Sequence, residues 1–297
     1  MAGTPETHQL PALDGRTVVL TRSPDRAGTM CATLKATGAQ VVLFPVIDFE
    51  VPADTSALDE ALGRLASGAF DWLVVTSITT VRALAQRCVA LGLSMAALVP
   101  ERTQVAAVGE TTRKALAAEG LGVDLMPGVE RSGQGLLQAW PVTGEAVSVL
   151  LPQADIADPA LGDGLRQRGA DVVGLTAYHT VDYPADSWRR LDQSLLMASG
   201  PIPADETNTP VWAPQEFTAH QLAGGVDALV LTSPSAARRV SKECGPLDSR
   251  VKVVAIGRPT AREAERCGLG VSTVAAEPSG GGIAAALEQA LNTLPES

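Results

Sequence analysis

The chain has 297 residues and contains one strand–turn–helix sequence twice. The stretch AAVGETTRKALAAEGLGV (106–123) is matched by VAIGRPTAREAERCGLGV (254–271) without a gap. Thr112 aligns with Thr260, so the two copies are offset by 148 residues. A match of this length indicates an internal repeat, and it restricts the fold to one that a half-length unit can build twice.

Three further pairs of segments match in the same order along the chain. LKATGAQVV matches LRQRGADVV, FDWLVVTSITTVRAL matches VDALVLTSPSAARRV, and SGQGLL matches SGGGIA. The order predicts a duplicated unit of roughly 130–150 residues. The second copy holds an extra stretch around 199–215, which is rich in Pro and Thr and is typical of a mobile surface segment.

Short β-branched runs alternate with amphipathic helical stretches throughout the chain. TVVLTR (17–22) and FDWLVVTS (70–77), for example, are each followed by a turn and a helix of about 10–15 residues. Hydrophobic residues make up 45% of the chain but aromatic residues only 3%, which favours Ala-rich helices packed closely on Val and Leu strands. We therefore predict an α/β fold of two similar doubly wound parallel-sheet domains from an internally duplicated chain.

Two matching segments, FPVIDFEVP and LTAYHTVDYP, differ from the other predicted strands. Both are longer than a sheet strand requires, and both end in proline. We interpret them as strands that cross between the domains.

The composition excludes several kinds of protein. The net charge is −10 and no basic cluster is present, which argues against a nucleic-acid partner. No run of about 18 apolar residues could span a membrane. The polar N-terminal stretch lacks the apolar core of a signal peptide. We expect a cytoplasmic protein with no membrane partner.

Cysteine and histidine spacings give no metal site and no disulfide framework. The cysteines form no CxxC pair, and we predict free and mostly buried thiols. The histidines share no metal-ligand spacing. No P-loop is present, and SGGGIA lacks the strand and acidic partner of a Rossmann fingerprint. We assign no metal and no cofactor.

Hydroxyl-bearing turns follow several predicted strands and precede helices. Free backbone amides and the helix dipole favour an anion at such positions. Ser and Thr there could instead be ordinary helix N-caps, and for any one turn that is the more common role. The turns are TSIT (76–79), TSPS (232–235), GETT (109–112), GRPT (257–260) and SGGG (279–282).

Tyr178 is one of only two tyrosines and lies in a predicted crossing segment. A tyrosine at a domain junction is usually packed, with its hydroxyl hydrogen-bonded. The same hydroxyl could donate a proton or a hydrogen bond to a leaving group. The residues alone favour packing slightly and leave both roles open.

In order and spacing, the motifs resemble the uroporphyrinogen-III synthase family over residues 17–290. The motifs that carry the resemblance are VLTRSPDRA, GAQVVLFPVIDFE, VVTSITTVRAL, AVGETTRKAL, LTAYHTV, LVLTSPSAARRV and AIGRPTAREAERCGL. The resemblance implies two α/β domains joined by a two-stranded linker. The implied first domain is discontinuous, with residues 1–45 and 182–297; the second is 50–178, and 46–49 and 179–181 are the linker strands.

The resemblance also implies an activity. It is the cyclisation of hydroxymethylbilane to uroporphyrinogen III, with loss of water and inversion of ring D through a spirocyclic intermediate. Such chemistry needs mainly correct folding of the substrate and a hydrogen bond to the departing hydroxyl. No cofactor is implied, and the enzyme would act as a monomer.

The family's functional residues map onto particular positions of this chain. Tyr178 corresponds to the proton donor. The residues that would bind substrate are Arg22, Ser77, Thr112, Ser233, Ser235 and Thr260. This chain departs from some members in Pro259, which removes one amide from the turn before Thr260, and in an insertion at 185–225.

Two other functions fit the same sequence. A non-enzymatic binding or regulatory protein for an anionic metabolite could use the same duplicated architecture. A glycosyltransferase-like enzyme is a third option, but no paired Asp/Glu or sugar-nucleotide signature supports it.

Overall fold

The computed structural model describes residues 12–128, 130–141, 147–191 and 209–292. In chain order, the first elements are β1 (Thr17–Leu20), α1 (Pro24–Ala36), β2 (Gln40–Leu43), β3 (Ile47–Glu50), α2 (Ser56–Ala66), β4 (Trp72–Val75), α3 (Ile78–Ala90), α4 (Met95–Leu98), β5 (Gln104–Ala107), α5 (Glu110–Ala118) and α6 (Gly133–Ala139). They are followed by β6 (Ser148–Ala154), α7 (Ala160–Gln167), β7 (Asp171–Asp182), α8 (Pro214–Leu222), β8 (Ala228–Leu231), α9 (Pro234–Cys244), β9 (Lys252–Ala255), α10 (Arg258–Arg266), β10 (Thr273–Val274) and α11 (Gly280–Asn292).

The chain forms two compact units. The first comprises Met1–Ile47, Asp182–Pro184 and Ile202–Ser297, and the second comprises Asp48–Val181 and Ala185–Pro201. Each unit contains a five-stranded sheet, with strand order β10-β9-β8-β1-β2 in the first and β3-β7-β6-β4-β5 in the second.

The sheet of the first unit is parallel and covered by helices on both faces. β1 pairs in parallel with β2 and β8, and β8 pairs in parallel with β9. Val18 and Leu20 of β1 lie in a core with residues of α1 and α11. Val19 lies in a second core, with residues of α8, α9 and α10. Alternate residues of one strand thus enter two different cores, as a doubly wound sheet requires.

The second unit repeats this arrangement. β4 pairs in parallel with β5 and β6, and β6 pairs in parallel with β7. Leu73 and Val75 face a core that includes residues of α2, α3 and α5. Trp72 and Val74 face the opposite core, with residues of α6 and α7. The predicted α/β class with two predominantly parallel sheets is confirmed.

The matched segments occupy equivalent positions in the two sheets. The run β9-β8-β1-β2 corresponds to β5-β4-β6-β7. Asp227 accepts a hydrogen bond from the Thr17 amide at 2.8 Å, and Asp71 accepts one from the Ser148 amide at 2.7 Å. Each aspartate directly precedes a strand, β8 or β4, and joins it to the neighbouring strand, β1 or β6. Duplication of the chain remains an interpretation of the sequence, with which this correspondence agrees.

The predicted linker residues lie in or beside β3 and in the last part of β7, which are neighbours in the second sheet. The chain then returns to the second unit, where the Leu191 amide donates to the Phe49 carbonyl at 2.9 Å. The boundary predicted at residue 182 placed all later residues in the first domain and did not anticipate that the chain returns to the second unit.

Residues 199–208 of the predicted mobile segment (199–215) lie outside the described residues. The described part of the segment, from residue 209 onward, is hydrogen-bonded to β2. There the Leu43 amide donates to the Pro210 carbonyl and the Trp212 amide donates to the Leu43 carbonyl, both at 2.8 Å.

All four cysteines carry free thiols, and Cys31, Cys88 and Cys244 are buried. Burial raises the pKa of the Cys88 and Cys244 thiols to about 11. No helix among the described residues is both long and apolar enough to cross a bilayer. Nor do the described residues gather three His, Cys, Asp or Glu side chains that could hold a metal ion.

Candidate functional site

The predicted site residues lie at the carboxyl ends of strands, the edge where parallel α/β sheets bind ligands. In the first unit, Arg22 follows β1, Ser233 and Ser235 follow β8, and Thr260 follows β9. β1, β8 and β9 are consecutive strands of one sheet. Hence these four residues share one edge of the first sheet.

In the second unit, Ser77 follows β4, Thr112 follows β5, and Tyr178 lies in β7. The closest association is between Tyr178 and Ser77, whose hydroxyl oxygens are 3.3 Å apart. Because the two residues are 101 positions apart in sequence, only the folded sheet brings them together.

Tyr178 is held by packing and by hydrogen bonds at once. Its side chain is 7% exposed and lies in a cluster with Ala83, Ala177 and Leu191, against which Phe49, Val51 and Ala154 also pack. We call this set the Tyr178 cluster. The Phe49 ring meets the Tyr178 ring edge-on, with centroids 5.5 Å apart. Both roles considered from the sequence, packing and presentation of a hydroxyl, are therefore compatible with its geometry.

Ser77 is the N-cap of α3. Its hydroxyl accepts from the Thr80 amide at 3.0 Å and lies 2.9 Å from the Thr80 hydroxyl. The N-terminus of α3 therefore presents a set of hydroxyls to the Tyr178 phenol.

Burial raises the pKa of Tyr178 above its ordinary value, while hydrogen bonds with Ser77, Thr79 and Thr80 act in the opposite direction. The nearby negative charge of Asp155 raises the pKa further. The phenol is therefore neutral, and able to donate, throughout the physiological range. The folded chain holds this proton more tightly than the unfolded chain does, so protonation of Tyr178 stabilises the fold. This contribution is fully present below the unfolded pKa near 10 and is lost as the pH rises through the folded pKa.

Asp155 is a polar residue of this site that sequence reasoning missed. It follows β6, and its carboxylate accepts from the Thr180 amide at 2.9 Å and lies 3.2 Å from His179 Nδ1. The Asp155 amide in turn donates to the Tyr178 carbonyl at 3.0 Å. The signal was available, because this aspartate lies two residues after the strand-like run AVSVLLPQ (146–153).

Ser233 and Ser235 lie together at the start of α9. Ser233 is its N-cap and accepts from the Ala236 amide at 3.0 Å, and the two serine hydroxyls are 3.1 Å apart. Ser233 is thus a helix cap, and Ser235 is the hydroxyl next to it.

Thr112 and Thr260 hold matching positions in the first turns of α5 and α10. Both side chains are buried. The N-caps of these helices are Gly109 and Gly257, which carry no side chain to accept a hydrogen bond from the first amides. The amides of these turns are therefore better candidates for holding an anion than the two threonine hydroxyls. In α10, Pro259 reduces their number by one.

Arg22 is half-buried, and its Nη1 donates to the Arg26 carbonyl at 3.4 Å. Burial is the main cause that lowers the pKa of its guanidinium, and the positive charge of Arg26 adds to it. Within the described part of the chain, no carboxylate forms an ion pair with Arg22. A partly desolvated cation of this kind favours an anionic ligand.

Comparisons with known proteins agree with this architecture. A family model described as uroporphyrinogen-III synthase HemD matches residues 28–285. The uroporphyrinogen-III synthase of Synechococcus elongatus is 31% identical over 169 residues, which cover 57% of this chain and 62% of that protein. A protein of Methanothermobacter thermautotrophicus, whose name assigns the same activity provisionally, is 28% identical over 262 residues, which cover 85% of this chain and 90% of that protein.

Among solved structures, a mutant uroporphyrinogen III synthase from Thermus thermophilus matches with a TM-score of 0.64 at 21% identity. The match covers 93% of this chain and 99% of that one. At this identity the likeness concerns the fold.

Proposed function

The chain belongs to the uroporphyrinogen-III synthase family, and we propose from this membership that it cyclises hydroxymethylbilane to uroporphyrinogen III. The observation that best supports the proposal is the Tyr178 hydroxyl, which is neutral and lies 3.3 Å from the Ser77 hydroxyl at the start of α3. A neutral phenol at the carboxyl edge of a sheet can donate to a departing hydroxyl group.

The proposed reaction begins when the C–O bond of the hydroxymethyl group breaks. Tyr178 donates a hydrogen bond and then a proton to that oxygen, which leaves as water, and the electron pair of the pyrrole nitrogen stabilises the remaining cation as a protonated azafulvene. The substituted carbon of the far pyrrole ring then attacks the methylene carbon to give a spirocyclic intermediate. Rearrangement with ring D inverted and loss of a proton gives the macrocycle and restores the proton balance. Most of the barrier is lowered by holding the reacting ends together.

The turns of the first unit suit the carboxylate side chains of the bilane. Arg22, Ser233, Ser235 and the amides before Thr260 share one sheet edge, and Arg22 is a cation without a described carboxylate partner. We assign Ser77 and the amides before Thr112 the same role in the second unit. Charge-assisted hydrogen bonds to carboxylates are the strong ones at such sites.

Replacing Arg22 tests this assignment. We expect Arg22→Gln to raise KM roughly 10- to 100-fold, because one charge-assisted hydrogen bond is worth about 1.5–3 kcal/mol. Steady-state kinetics with hydroxymethylbilane measure it. Arg16→Gln is the matched control, because Arg16 precedes the same strand and already pairs with Asp227 at 2.8 Å. An unchanged KM in Arg22→Gln would remove Arg22 from the substrate site.

The activity itself has a direct test. The protein is incubated with hydroxymethylbilane, the product is oxidised, and the uroporphyrin isomers are separated. We expect isomer III to predominate over the isomer I that forms spontaneously. Isomer I alone would contradict the synthase assignment and favour a binding protein for an anionic metabolite.

The domain boundaries inferred from the sequence belong to the same proposal. Residues 1–45 with 182–297 form one functional domain and 50–178 the other, except that residues 185–191 pack with the second unit. We further propose that the enzyme acts as a cytoplasmic monomer without a nucleic-acid partner.

A further inference from the structure

β3 carries two buried carboxylates on one face. Asp48 is 2% exposed and Glu50 7%, whereas Phe49 between them faces the other way and is only partly buried. Burying two negative charges on one short strand is costly unless each charge is paired. Both are paired with consecutive arginines of the returning chain, Arg189 and Arg190.

Three groups among the described contacts hold Asp48. The Arg190 guanidinium forms an ion pair with its carboxylate, with Nε 2.8 Å from Oδ2. The Phe49 amide donates to Oδ1 at 2.9 Å, and the Ala185 amide donates to Oδ2 at 3.3 Å. The Asp48 side chain thus connects β3 to Ala185, the residue at which the chain returns to the second unit.

Glu50, two residues further along β3, repeats the arrangement. Its carboxylate accepts from the Asp186 amide at 2.6 Å and pairs with Arg189 Nη2 at 3.0 Å. Backbone bonds lie between the two ion pairs, from the Val51 amide to the Arg189 carbonyl and from the Leu191 amide to the Phe49 carbonyl. We call the set Asp48, Glu50, Arg189 and Arg190 the acid–arginine clasp.

The clasp fixes two residues whose side chains pack at Tyr178. Phe49 meets the Tyr178 ring edge-on, and Leu191, 5% exposed, belongs to the Tyr178 cluster. Gln86 of α3, the helix capped by Ser77, also donates to the Arg190 carbonyl at 3.2 Å. β3 itself neighbours β7, which carries Tyr178. The two segments that the clasp joins, β3 and the returning chain, therefore form part of the surroundings of the Tyr178 phenol.

We propose that the acid–arginine clasp is a positioning device for Tyr178, with Asp48 as its central residue and Phe49 and Leu191 as the groups through which it acts. The proposal rests on the proposed function for its effect on catalysis, but its effect on the Tyr178 ring is independent of any reaction. A clasp that only stabilised the fold would leave the surroundings of Tyr178 unchanged as long as the chain stayed folded.

The chain offers a spectroscopic readout, because Tyr178 and Tyr183 are its only tyrosines. In a Tyr183→Phe background, the ultraviolet absorbance of tyrosinate reports the ionisation of Tyr178 alone. We expect Asp48→Asn in that background to bring the pKa of Tyr178 down toward its ordinary value near 10, because loosened packing admits water. With substrate, we expect kcat to fall roughly 10- to 100-fold while KM changes little, because the phenol is misplaced.

The matched control is Asp59→Asn. Asp59 pairs with Arg87 between α2 and α3 in the same unit and makes no described contact with residues 185–191. Removing this charge should lower the free energy of unfolding but leave both the Tyr178 titration and kcat unchanged. Circular dichroism establishes that each variant is folded at the temperature of the measurement.

If Asp48→Asn fails to fold, Glu50→Gln and Arg190→Lys give the same test with smaller changes. A titration of Tyr178 that matches the Tyr183→Phe parent in every folded clasp variant overturns the proposal. A shifted titration together with full activity in Tyr178→Phe leaves the clasp in place and contradicts only the catalytic role of Tyr178. The two failures are thus distinguishable.

Discussion

Tyr178→Phe is expected to lower kcat by about two orders of magnitude, within the range that a positioned general acid contributes. The substitution removes one oxygen and leaves the ring, so the edge-on contact with Phe49 and the burial within the Tyr178 cluster remain. KM should change little, because the carboxylate contacts lie elsewhere. We also expect a larger share of isomer I, because slow turnover allows spontaneous closure to compete.

The control for this change is Tyr183→Phe, which removes the same atom from the only other tyrosine. It should retain parental kcat. Thermal unfolding of both variants separates a catalytic from a structural effect, because the Ser77 hydroxyl keeps its bonds with Thr80 when the phenol is gone. Parental turnover in folded Tyr178→Phe would return Tyr178 to a packing role.

The fold could be predicted because its signals are local in the sequence. Runs such as WLVV and ALVL are buried on both faces, and their β-branched and Leu residues followed by helix caps are what a central parallel strand requires. Ser77 and Ser233 were recognisable as helix starts for the same reason.

The clasp could not be predicted, because it depends on where the chain returns. Asp48 and Arg190 are distant in sequence, and nothing near either residue specifies its partner. An acidic residue in the pattern IDFE normally indicates the solvent face of an edge strand. Only the pairing with the returning segment makes burial of this charge tolerable.

Thr112 and Thr260 illustrate a different limit. The sequence repeat singled out their two turns as candidate sites, but it left the roles of the two threonine hydroxyls open between helix cap and ligand. Both side chains are buried in their units, so the amides around Gly109 and Gly257 are the groups left available. Pattern reasoning singled out these turns as candidate anion sites without distinguishing backbone from side chain.

The matched turns SGQG and SGGG have a structural requirement that a motif search does not reveal. In both, the serine is followed three residues later by a glycine whose amide donates to the serine hydroxyl, at 3.1 Å for Gly135 and for Gly282. A Cβ on Gly135 would overlap the Glu130 carbonyl, and one on Gly282 would overlap the Glu277 carbonyl. The preceding chain folds back over the first turn of each helix, so no side chain fits there.

Gly135→Ala should therefore destabilise the second unit by about 2 kcal/mol, because the overlap is with backbone, which cannot rotate away. Gly63→Ala is the matched control, since Gly63 is exposed in α2 and a Cβ there would meet nothing within 4 Å. That change should stabilise by up to about 1 kcal/mol through helix propensity. Urea unfolding followed by tryptophan fluorescence measures both, because the buried pair Trp72 and Trp140 lies in this unit with ring centroids 4.8 Å apart. If the two alanine variants shift the midpoint in the same direction, the close approach of Glu130 does not constrain this turn.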